Sequence, residues 1–388
     1  MATDFNRVID RHGTYSTQWD YAADRFGRAD VLPFSISDTD FPVPEEVEKV
    51  LLARLRHPIF GYTRWNHDDY KQSVLRWFQR DGSAQGMDSE WVVYSPSVIF
   101  SVASFIRLLT APGEGVIVCT PMYDAFYGVI EGNGRALVPV RQASAQEGYG
   151  LDWEALERAA SNPRNRVMLL TNPHNPTGKV YTRSELERIH AICRAHDITV
   201  VSDDIHRDMV YEPARYVPLL DVSTEGALIV CSSSKTFNTP GLIGSYCIIP
   251  DPILRERFLF ELKQKNALSS VSILGMEAQI CAYNRCESYV RDLVTHVRGN
   301  MEYLAEYVEK NLPGLRFSMP QGTYLAWIDV SGLGLASSEL QDRLVNRGRV
   351  GIMSGSAYGD AGYVRMNVAC PRSKLEDGLD RVRASLAE

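Results

Sequence analysis

The feature of this sequence that most constrains its fold is an alternation of short apolar runs with helical patterns between residues 91 and 249. The apolar runs lie at 91–94, 116–119, 136–140, 167–170, 198–201, 227–231 and 245–249, and helical patterns between them include 98–110, 152–160 and 183–196. Apolar runs that lack polar alternation and are connected through helices are typical of a mostly parallel sheet. The sequence therefore predicts an α/β fold with a central sheet covered by helices on both faces.

The pattern changes after residue 250 and indicates a smaller unit. A long helical pattern at 287–312 precedes a strand pattern at 323–330, and a final helix starts near residue 373. We expect this part to form a smaller α+β domain. The predicted organisation is an N-terminal arm at 1–45 that joins the small domain, a large domain at 46–285 and the small C-terminal domain at 286–388.

Polar side chains follow the apolar runs at the points where the predicted strands end. In an open α/β sheet, ligands bind beyond the carboxyl ends of the strands. The residues that this rule collects are Ser97, Tyr123, Asn175, Asp203 and Lys235. The sequence thus predicts one site that contains a hydroxyl, an aromatic ring, an amide, a carboxylate and a lysine.

The lysine of this set follows the apolar run 227–231 and three serines. A lysine at the mouth of a buried sheet is desolvated, which favours its neutral amine, and a neutral amine forms a Schiff base with an aldehyde. The hydroxyls of Ser232 and Ser234 are donors for a nearby anion. A reactive amine beside phosphate donors is what pyridoxal 5'-phosphate (PLP) requires.

The other members of the set have roles in the same chemistry. Asp203 would pair with the protonated pyridine nitrogen of PLP, and Asn175 would donate to the phenolic oxygen. Tyr123 would stack on the ring. The backbone amides of Ser97 and Val98 would meet the phosphate at a helix N-terminus, where donors and the helix dipole favour an anion.

Each of these residues also has a simpler interpretation. Asp203 alone is more often a strand-end cap, Tyr123 a half-buried core ring and Ser97 an N-cap, and Lys235 could lie in a solvated turn. A metal site over residues 203–208 is a further alternative, but no second cluster of ligands converges on it, so we predict none. The combined order and placement of the residues favour the cofactor site.

Composition excludes several other classes of function. The formal net charge of −7 argues against a nucleic-acid binder or an anionic membrane surface as partner. No apolar run approaches the roughly 20 residues of a membrane span. Seven cysteines without a CxxC pair indicate reduced thiols and a cytoplasmic protein.

At the level of motifs, the chain resembles a known family. The strings NPHNPTG, SDDIH, SSSK and YVRMN occur in the order found in fold-type I PLP-dependent enzymes of the class I/II aminotransferase group. The strings FGYTRW, SSSKTFN and QGTYLAWIDV, with others along the whole chain, resemble more narrowly the bacterial cystathionine β-lyases of the maltose-regulon modulator type.

The resemblance implies a homodimer with shared active sites and adds three residues to the site. Tyr62 would reach the PLP phosphate of the partner subunit and join Lys235 and Asp203 as a catalytic residue, and Arg365 would bind the substrate α-carboxylate. His206 stands near the ring oxygen, where many aminotransferases carry a tyrosine, and Ile243 stands where many carry a phosphate-binding arginine. Both differences favour the lyase subgroup.

The implied activity is that of a PLP-dependent carbon–sulfur β-lyase acting on cystathionine or a related cysteine conjugate. Lys235 would remove the α-proton, and the α,β-elimination would yield a thiol, pyruvate and ammonia. An aminotransferase is the first alternative, because both reactions begin with loss of the same proton. A second alternative of another class is a modulator that binds the transcriptional activator of maltose genes through a protein surface.

Overall fold

We analysed a computed structural model of the chain, which describes residues 3–387. Residues 1, 2 and 388, which the predicted arm and small domain include, lie outside the described residues. The strands are β1 (Leu32–Pro33), β2 (Val92–Ser95), β3 (Gly115–Thr120), β4 (Ala136–Arg141), β5 (Asn165–Thr171), β6 (Thr199–Asp203), β7 (Ala227–Cys231), β8 (Ser245–Ile248), β9 (Arg316–Phe317), β10 (Leu325–Asp329), β11 (Val350–Gly351), β12 (Met353–Ser354) and β13 (Tyr363–Asn367).

The helices cover the central sheet and build much of the C-terminal part. They are α1 (Ala22–Phe26), α2 (Glu45–Leu55), α3 (Asp68–Gln79), α4 (Val98–Leu109), α5 (Asp124–Gly132), α6 (Trp153–Ala160), α7 (Arg183–Ala195), α8 (Pro252–Phe260), α9 (Ile273–Arg285), α10 (Glu287–Asn311), α11 (Ser337–Asp342) and α12 (Arg372–Leu386). The π-helical turns Glu261–Lys265 and Arg343–Arg347 extend α8 and α11.

The central sheet has seven strands in the order β2-β8-β7-β6-β5-β3-β4. All neighbouring pairs are parallel except those that β8 makes with β2 and β7. Strands β6 and β7 are buried almost throughout, which explains why β7 is continuously apolar and why β6 has the apolar pair Val200 and Val201 before its polar end at Ser202 and Asp203. In the edge strand β4 only Val140 is buried, and the strand contains Pro139, as an edge position permits. The predicted α/β class and mostly parallel sheet are confirmed.

The antiparallel strand β8 follows directly from the short connection that precedes it. A parallel return would need a crossover of a dozen or more residues, usually a helix. Residues 232–244 instead form turns and one short 3-10 segment, Pro240–Leu242, so the chain reverses direction beyond the carboxyl end of β7. This reversal places Lys235 at the carboxyl ends of the parallel strands.

The C-terminal part contains a second, four-stranded antiparallel sheet in the order β12-β13-β10-β9. Helices α10 and α12 contact each other beside this sheet. The N-terminal arm reaches the same region, because β1 pairs in parallel with β11 through Leu32 and Val350. The pairing carries the arm from the C-terminal unit into the neighbourhood of Lys235.

Two further features bear on the predicted environment of the protein. Within residues 3–387, no helix is both long enough and apolar enough to cross a bilayer. All seven cysteines are buried and free. Burial raises the pKa of the Cys119 thiol to about 11 and that of Cys193 to about 12, so both remain protonated at neutral pH.

Candidate active site

A cavity of about 390 Å³ opens at the carboxyl ends of β2, β3, β5, β6 and β7. Nine predicted cofactor residues line it together: Ser97, Val98, Tyr123, Asn175, Asp203, His206, Ser232, Ser234 and Lys235. They come from five separate connections of the large sheet, so only the parallel arrangement of the strands brings them to one place.

The amine of Lys235 belongs to the wall of this cavity. Its Nζ donates a hydrogen bond of 2.6 Å to the backbone oxygen of Ser37 in the N-terminal arm. Burial lowers the pKa of Lys235 from 10.5 to about 8, because the buried ammonium loses hydration. Asp38 and Asp203 oppose this shift and Arg365 adds to it. The neutral amine is therefore a minor form near neutral pH, but far more abundant than at a lysine with the ordinary pKa of 10.5.

The carboxyl group of Asp203 lies at the end of β6 and is buried. Burial raises its pKa to about 7, the backbone N–H of Ile205 lowers it, Asp204 raises it and Lys235 lowers it. The neighbouring Asp204 does not line the cavity. Its Oδ1 accepts from the hydroxyl of Ser202 at 2.5 Å, and its Oδ2 accepts from the hydroxyl of Tyr216. Asp203 is thus a buried carboxylate that a cationic ligand group would stabilise in its charged form.

The imidazole of His206 is neutral at physiological pH. Burial lowers its pKa to about 3, with Lys235 and Arg365 acting in the same direction. Its Nδ1 is buried and has no hydrogen-bond partner among residues 3–387. The ring packs edge-on against Tyr324 at 5.6 Å, which fixes its plane. The neutral imidazole is therefore a fixed part of the cavity wall.

The opposite end of the cavity is built to receive an anion. Ser97 is the N-cap of α4, and its Oγ accepts from the backbone N–H of Phe100, so the amides of Val98 and Ile99 stay available at the first turn. The hydroxyl of Ser232 donates to the backbone oxygen of Gly244 at 2.7 Å. The hydroxyl of Ser234 lies 3.0 Å from Ser232 Oγ and retains a proton for a ligand.

Arg365 lies behind the cavity wall and holds Asn175. Its Nη1 donates to Asn175 Oδ1 at 3.0 Å and its Nη2 to the backbone oxygen of Ser35 at 3.0 Å. The guanidinium also lies over the ring of Tyr358, 4.3 Å from its centroid, and its buried Nε has no partner within residues 3–387. Because Oδ1 of Asn175 is occupied, the amide Nδ2H₂ is the part of that side chain left for a ligand.

The structure places Tyr62 outside this cavity, unlike the nine predicted cofactor residues that line it and Arg365, which lies behind its wall. Its side chain is 99% exposed on the loop that follows α2. No part of the cavity wall in residues 3–387 comes from this loop. Tyr62 can therefore contribute to a site only if a second chain brings it there.

Several wall residues were not predicted from the sequence. Thr171 ends β5 and the strand-end rule should have included it. Ser37 comes from the N-terminal arm, so a rule about the ends of sheet strands cannot find it. The SISDTDF string in the arm, dense in small polar residues, was the only signal of its involvement.

The arrangement fits PLP on the evidence of its own contacts. The cavity joins an anion-binding helix N-terminus at one end to a buried carboxyl group at the other, with the amine of Lys235 between the walls. His206 and Asn175, which has a free amide group, both line the same cavity. Among residues 3–387, no cluster of three or more His, Cys, Asp and Glu side chains is suited to a metal ion.

The fold and the site together define a fold-type I enzyme. The family model for aminotransferase class I and II matches residues 29–382, and the chain belongs to this family. The predicted family is confirmed.

Two curated relatives match over nearly the whole chain. Protein MalY of Escherichia coli is 43% identical over 378 residues, which is 97% of both chains. Cystathionine beta-lyase PatB of Bacillus subtilis is 34% identical, covering 99% of this chain and 100% of its own. Among solved structures, cystalysin from Treponema denticola, which contains a pyridoxal 5'-phosphate cofactor, superimposes with a TM-score of 0.93 at 28% identity over 100% of this chain and 99% of its own.

Proposed function

We propose that this protein is a PLP-dependent carbon–sulfur β-lyase that converts cystathionine or a related cysteine conjugate to a thiol, pyruvate and ammonia. The observation that carries the proposal is the convergence of Lys235, Asp203 and the α4 N-terminus on one cavity, in a chain whose near full-length relatives include a cystathionine β-lyase. The predicted cofactor and reaction class are confirmed by these relatives and by the PLP-bound structure of similar fold. The choice of substrate is our proposal.

The residues divide the work of holding the cofactor. PLP, when bound, supplies an aldehyde that engages a lysine amine and a ring that accepts electrons from the substrate. We assign the phosphate to the amides of Val98 and Ile99 and the hydroxyl of Ser234. The ring nitrogen is assigned to Asp203, whose charged form the cationic nitrogen would stabilise. Asn175 and His206 would hold the ring oxygen, and Tyr123 would cover one face.

The residues around the substrate bind it and move one proton. Arg365 would take the α-carboxylate, since its buried guanidinium is already fixed by Asn175, Ser35 and Tyr358 and keeps unused N–H groups. This grip orients the Cα–H bond towards Nζ of Lys235, which takes up the proton in its neutral form. The Cβ–S bond then breaks and the sulfur leaves as a thiolate. Water completes the balance by releasing ammonia and pyruvate.

The product analysis separates the lyase from an aminotransferase. We expect the purified protein to release pyruvate and thiol from cystathionine in equal amounts, without any added 2-oxo acid. An aminotransferase would need the 2-oxo acid as amine acceptor and would leave the C–S bond intact. Product formation that depends on the 2-oxo acid, with no free thiol by thiol titration, would contradict the proposal.

We also propose a homodimer in which Tyr62 completes the site of the partner subunit. The end of α2 and the loop after it expose Leu52, Leu55, Ile59 and Phe60 beside Tyr62. A contiguous apolar surface of this kind is typical of a protein–protein contact. Tyr62 lies outside the cavity of its own chain, and in a closed two-fold dimer each surface contacts its own copy.

Complementation between two inactive variants tests this arrangement. Tyr62→Ala and Lys235→Ala subunits are unfolded together, mixed in equal amounts and refolded. In a mixed dimer, one site combines Lys235 of one subunit with Tyr62 of the other and should be intact. Random pairing puts about a quarter of all sites in this state, so about a quarter of wild-type turnover should return. Activity no higher than the mean of the two refolded variants would contradict a shared site.

The regulatory alternative stays a prediction from the resemblance. Binding of a transcriptional activator would require a surface separate from the cavity, and it could coexist with the lyase reaction. The domain boundaries at 45 and 285 also remain proposals; β1 pairing with β11 supports assigning the arm to the C-terminal unit.

A further inference from the structure

Residues 35–41 of the N-terminal arm, which we call the strap, run between the catalytic lysine and the C-terminal sheet. The strap is mostly buried and belongs to no helix or strand. Apart from the bond that the backbone N–H of Asp40 donates to the backbone oxygen of Ala369, its backbone hydrogen bonds are made mostly with side chains. Gln18, Arg11 and Tyr324 supply some of these bonds. Four of the other side chains come in two pairs, one from each side of the strap.

The first pair comes from the loop that follows β7. Lys235 donates to the backbone oxygen of Ser37 at 2.6 Å. Three residues later, Asn238 accepts from the backbone N–H of Thr39 at 3.1 Å through Oδ1. Its Nδ2 donates to the backbone oxygens of Thr39 at 2.9 Å and Phe41 at 2.8 Å. Asn238 thus grips the strap as a neighbouring strand would, next to the reactive amine.

The second pair comes from β13 in the C-terminal sheet. Arg365 donates to the backbone oxygen of Ser35 at 3.0 Å. Two residues later, Nδ2 of Asn367 donates to the backbone oxygens of Ile36 at 2.6 Å and Asp38 at 2.5 Å. Each of the two cations of the site is therefore accompanied by an asparagine that holds the same short segment.

We propose that Asn238 and Asn367 are positioning residues that hold the strap over Lys235 and so couple the amine to the carboxylate-binding Arg365. The hydroxyl of Tyr324 donates to the same Ser37 oxygen at 3.0 Å, so this carbonyl is fixed from two directions. The inference deepens the proposed function and rests on Lys235 being the reacting amine.

The consequence lies in how far water reaches the amine. The charged and titratable groups that face Lys235 are Asp38 on the strap, Asp203 and His206 at the end of β6, and Arg365 on β13. Burial is the largest influence on the pKa of Lys235 and lowers it. A loosened strap admits water, which raises the pKa of Lys235, and moves Asp38 away, which lowers it. Because burial is the larger influence, the pKa of Lys235 should rise.

The test compares three full-length variants. Asn238→Gly removes the amide without strain at a position with φ of 53°, where glycine is tolerated. Asn367→Ala removes the second grip and does not touch Lys235. Asn165→Ala is the matched control. This buried asparagine lies at the start of β5, away from the strap, and its Nδ2 donates at 2.7 Å to the backbone oxygen of Ala159 in α6.

Two measurements are needed and neither uses substrate. Hydrogen exchange of the holoenzyme should show amides of the strap exchanging at least about tenfold faster in the Asn238 and Asn367 variants. Competitive acetylation of the cofactor-free chain across pH, with the peptide of Lys235 followed by mass spectrometry, should place the pKa of the amine about one unit higher in both. The Asn165 variant should match the wild type in both measurements.

Faster exchange with an unchanged Lys235 pKa would overturn the coupling, and unchanged exchange would overturn the strap. A shift in the Asn238 variant alone would also overturn the link to Arg365, because Asn367 acts from the other side. All these outcomes are independent of whether the protein proves to be a lyase, a question that the product analysis decides.

Discussion

The Lys235→Ala protein is expected to lose essentially all lyase turnover, by about 10⁴-fold or more. Nζ of Lys235 has two proposed roles, as the amine that tethers the cofactor and as the base that accepts the α-proton. A buried amine whose pKa is lowered to about 8 suits both, because its neutral form is accessible at neutral pH. The measurement is pyruvate release under saturating cystathionine and PLP, with residual absorbance of the cofactor recorded in parallel.

A matched lysine variant separates loss of chemistry from loss of stability. Lys71 is also buried, and its Nζ forms an ion pair with Glu90 at 2.8 Å on the surface of α3. Lys71→Ala should lower the melting temperature while keeping turnover within a few-fold of the wild type. If the Lys235 variant folds, shown by circular dichroism, and keeps wild-type turnover, the assignment of the reactive amine is wrong.

The sequence could predict the site to the extent that the site follows from strand order. The strand-end residues Asn175, Asp203 and Lys235 were found together because β5, β6 and β7 are consecutive, parallel and adjacent. Buried strands are also the easiest to recognise, and the predicted run at 227–231 coincides with β7. Local chemistry and topology agree there, so inference from sequence is dependable.

The parts that escaped prediction depend on contacts between distant segments. The small polar residues of the arm do not indicate that the backbone oxygen of Ser37 accepts from Lys235, since the contact spans 198 positions along the chain and involves no side chain of the arm. Asn238 and Asn367 fall within the strings SSSKTFN and YVRMN, and the sequence predicts no role for them. The reason for an amide at each position is clear only from the bonds that both make to the strap. Tyr62 was predicted from resemblance alone, and a single chain cannot supply its partner.

The two carboxyl groups at the end of β6 show how burial distinguishes neighbouring residues of the same type. Asp203 lines the cavity and has one backbone N–H partner, whereas Asp204 points into the protein and accepts from Ser202 and Tyr216. Burial raises the pKa of Asp204 to about 6 and that of Asp203 to about 7. The site therefore keeps its less well-paired carboxyl group where a cationic ligand atom is proposed to bind.

Asp203→Asn is expected to lower kcat by about 10²- to 10³-fold with a smaller change in KM. An amide cannot hold a protonated ring nitrogen as a carboxylate does, so the cofactor would accept the electrons released at Cα less readily when Lys235 takes the proton. The control is Asp204→Asn, which makes the same change one residue along, outside the cavity, and should reduce kcat by no more than about tenfold. Equal losses in the two variants, or an unchanged kcat in Asp203→Asn, would remove Asp203 from the proposed mechanism.

The same substitution should stabilise the cofactor-free protein, in a manner that depends on pH. The folded-state pKa of Asp203, about 7, lies above its ordinary value of 3.8, so the folded chain binds this proton more tightly than the unfolded chain. The resulting stabilisation is complete below pH 3.8 and is lost as the pH rises through about 7. Asparagine is neutral throughout, so the free energy of unfolding of the variant should exceed that of the wild type by about 2–4 kcal/mol at pH 8 and by much less at pH 5.

Denaturant unfolding of the cofactor-free proteins at both pH values measures this difference. A variant less stable than the wild type at pH 8 would mean that the carboxylate is already neutralised within the protein, and then a cationic ring nitrogen would not be needed to stabilise it.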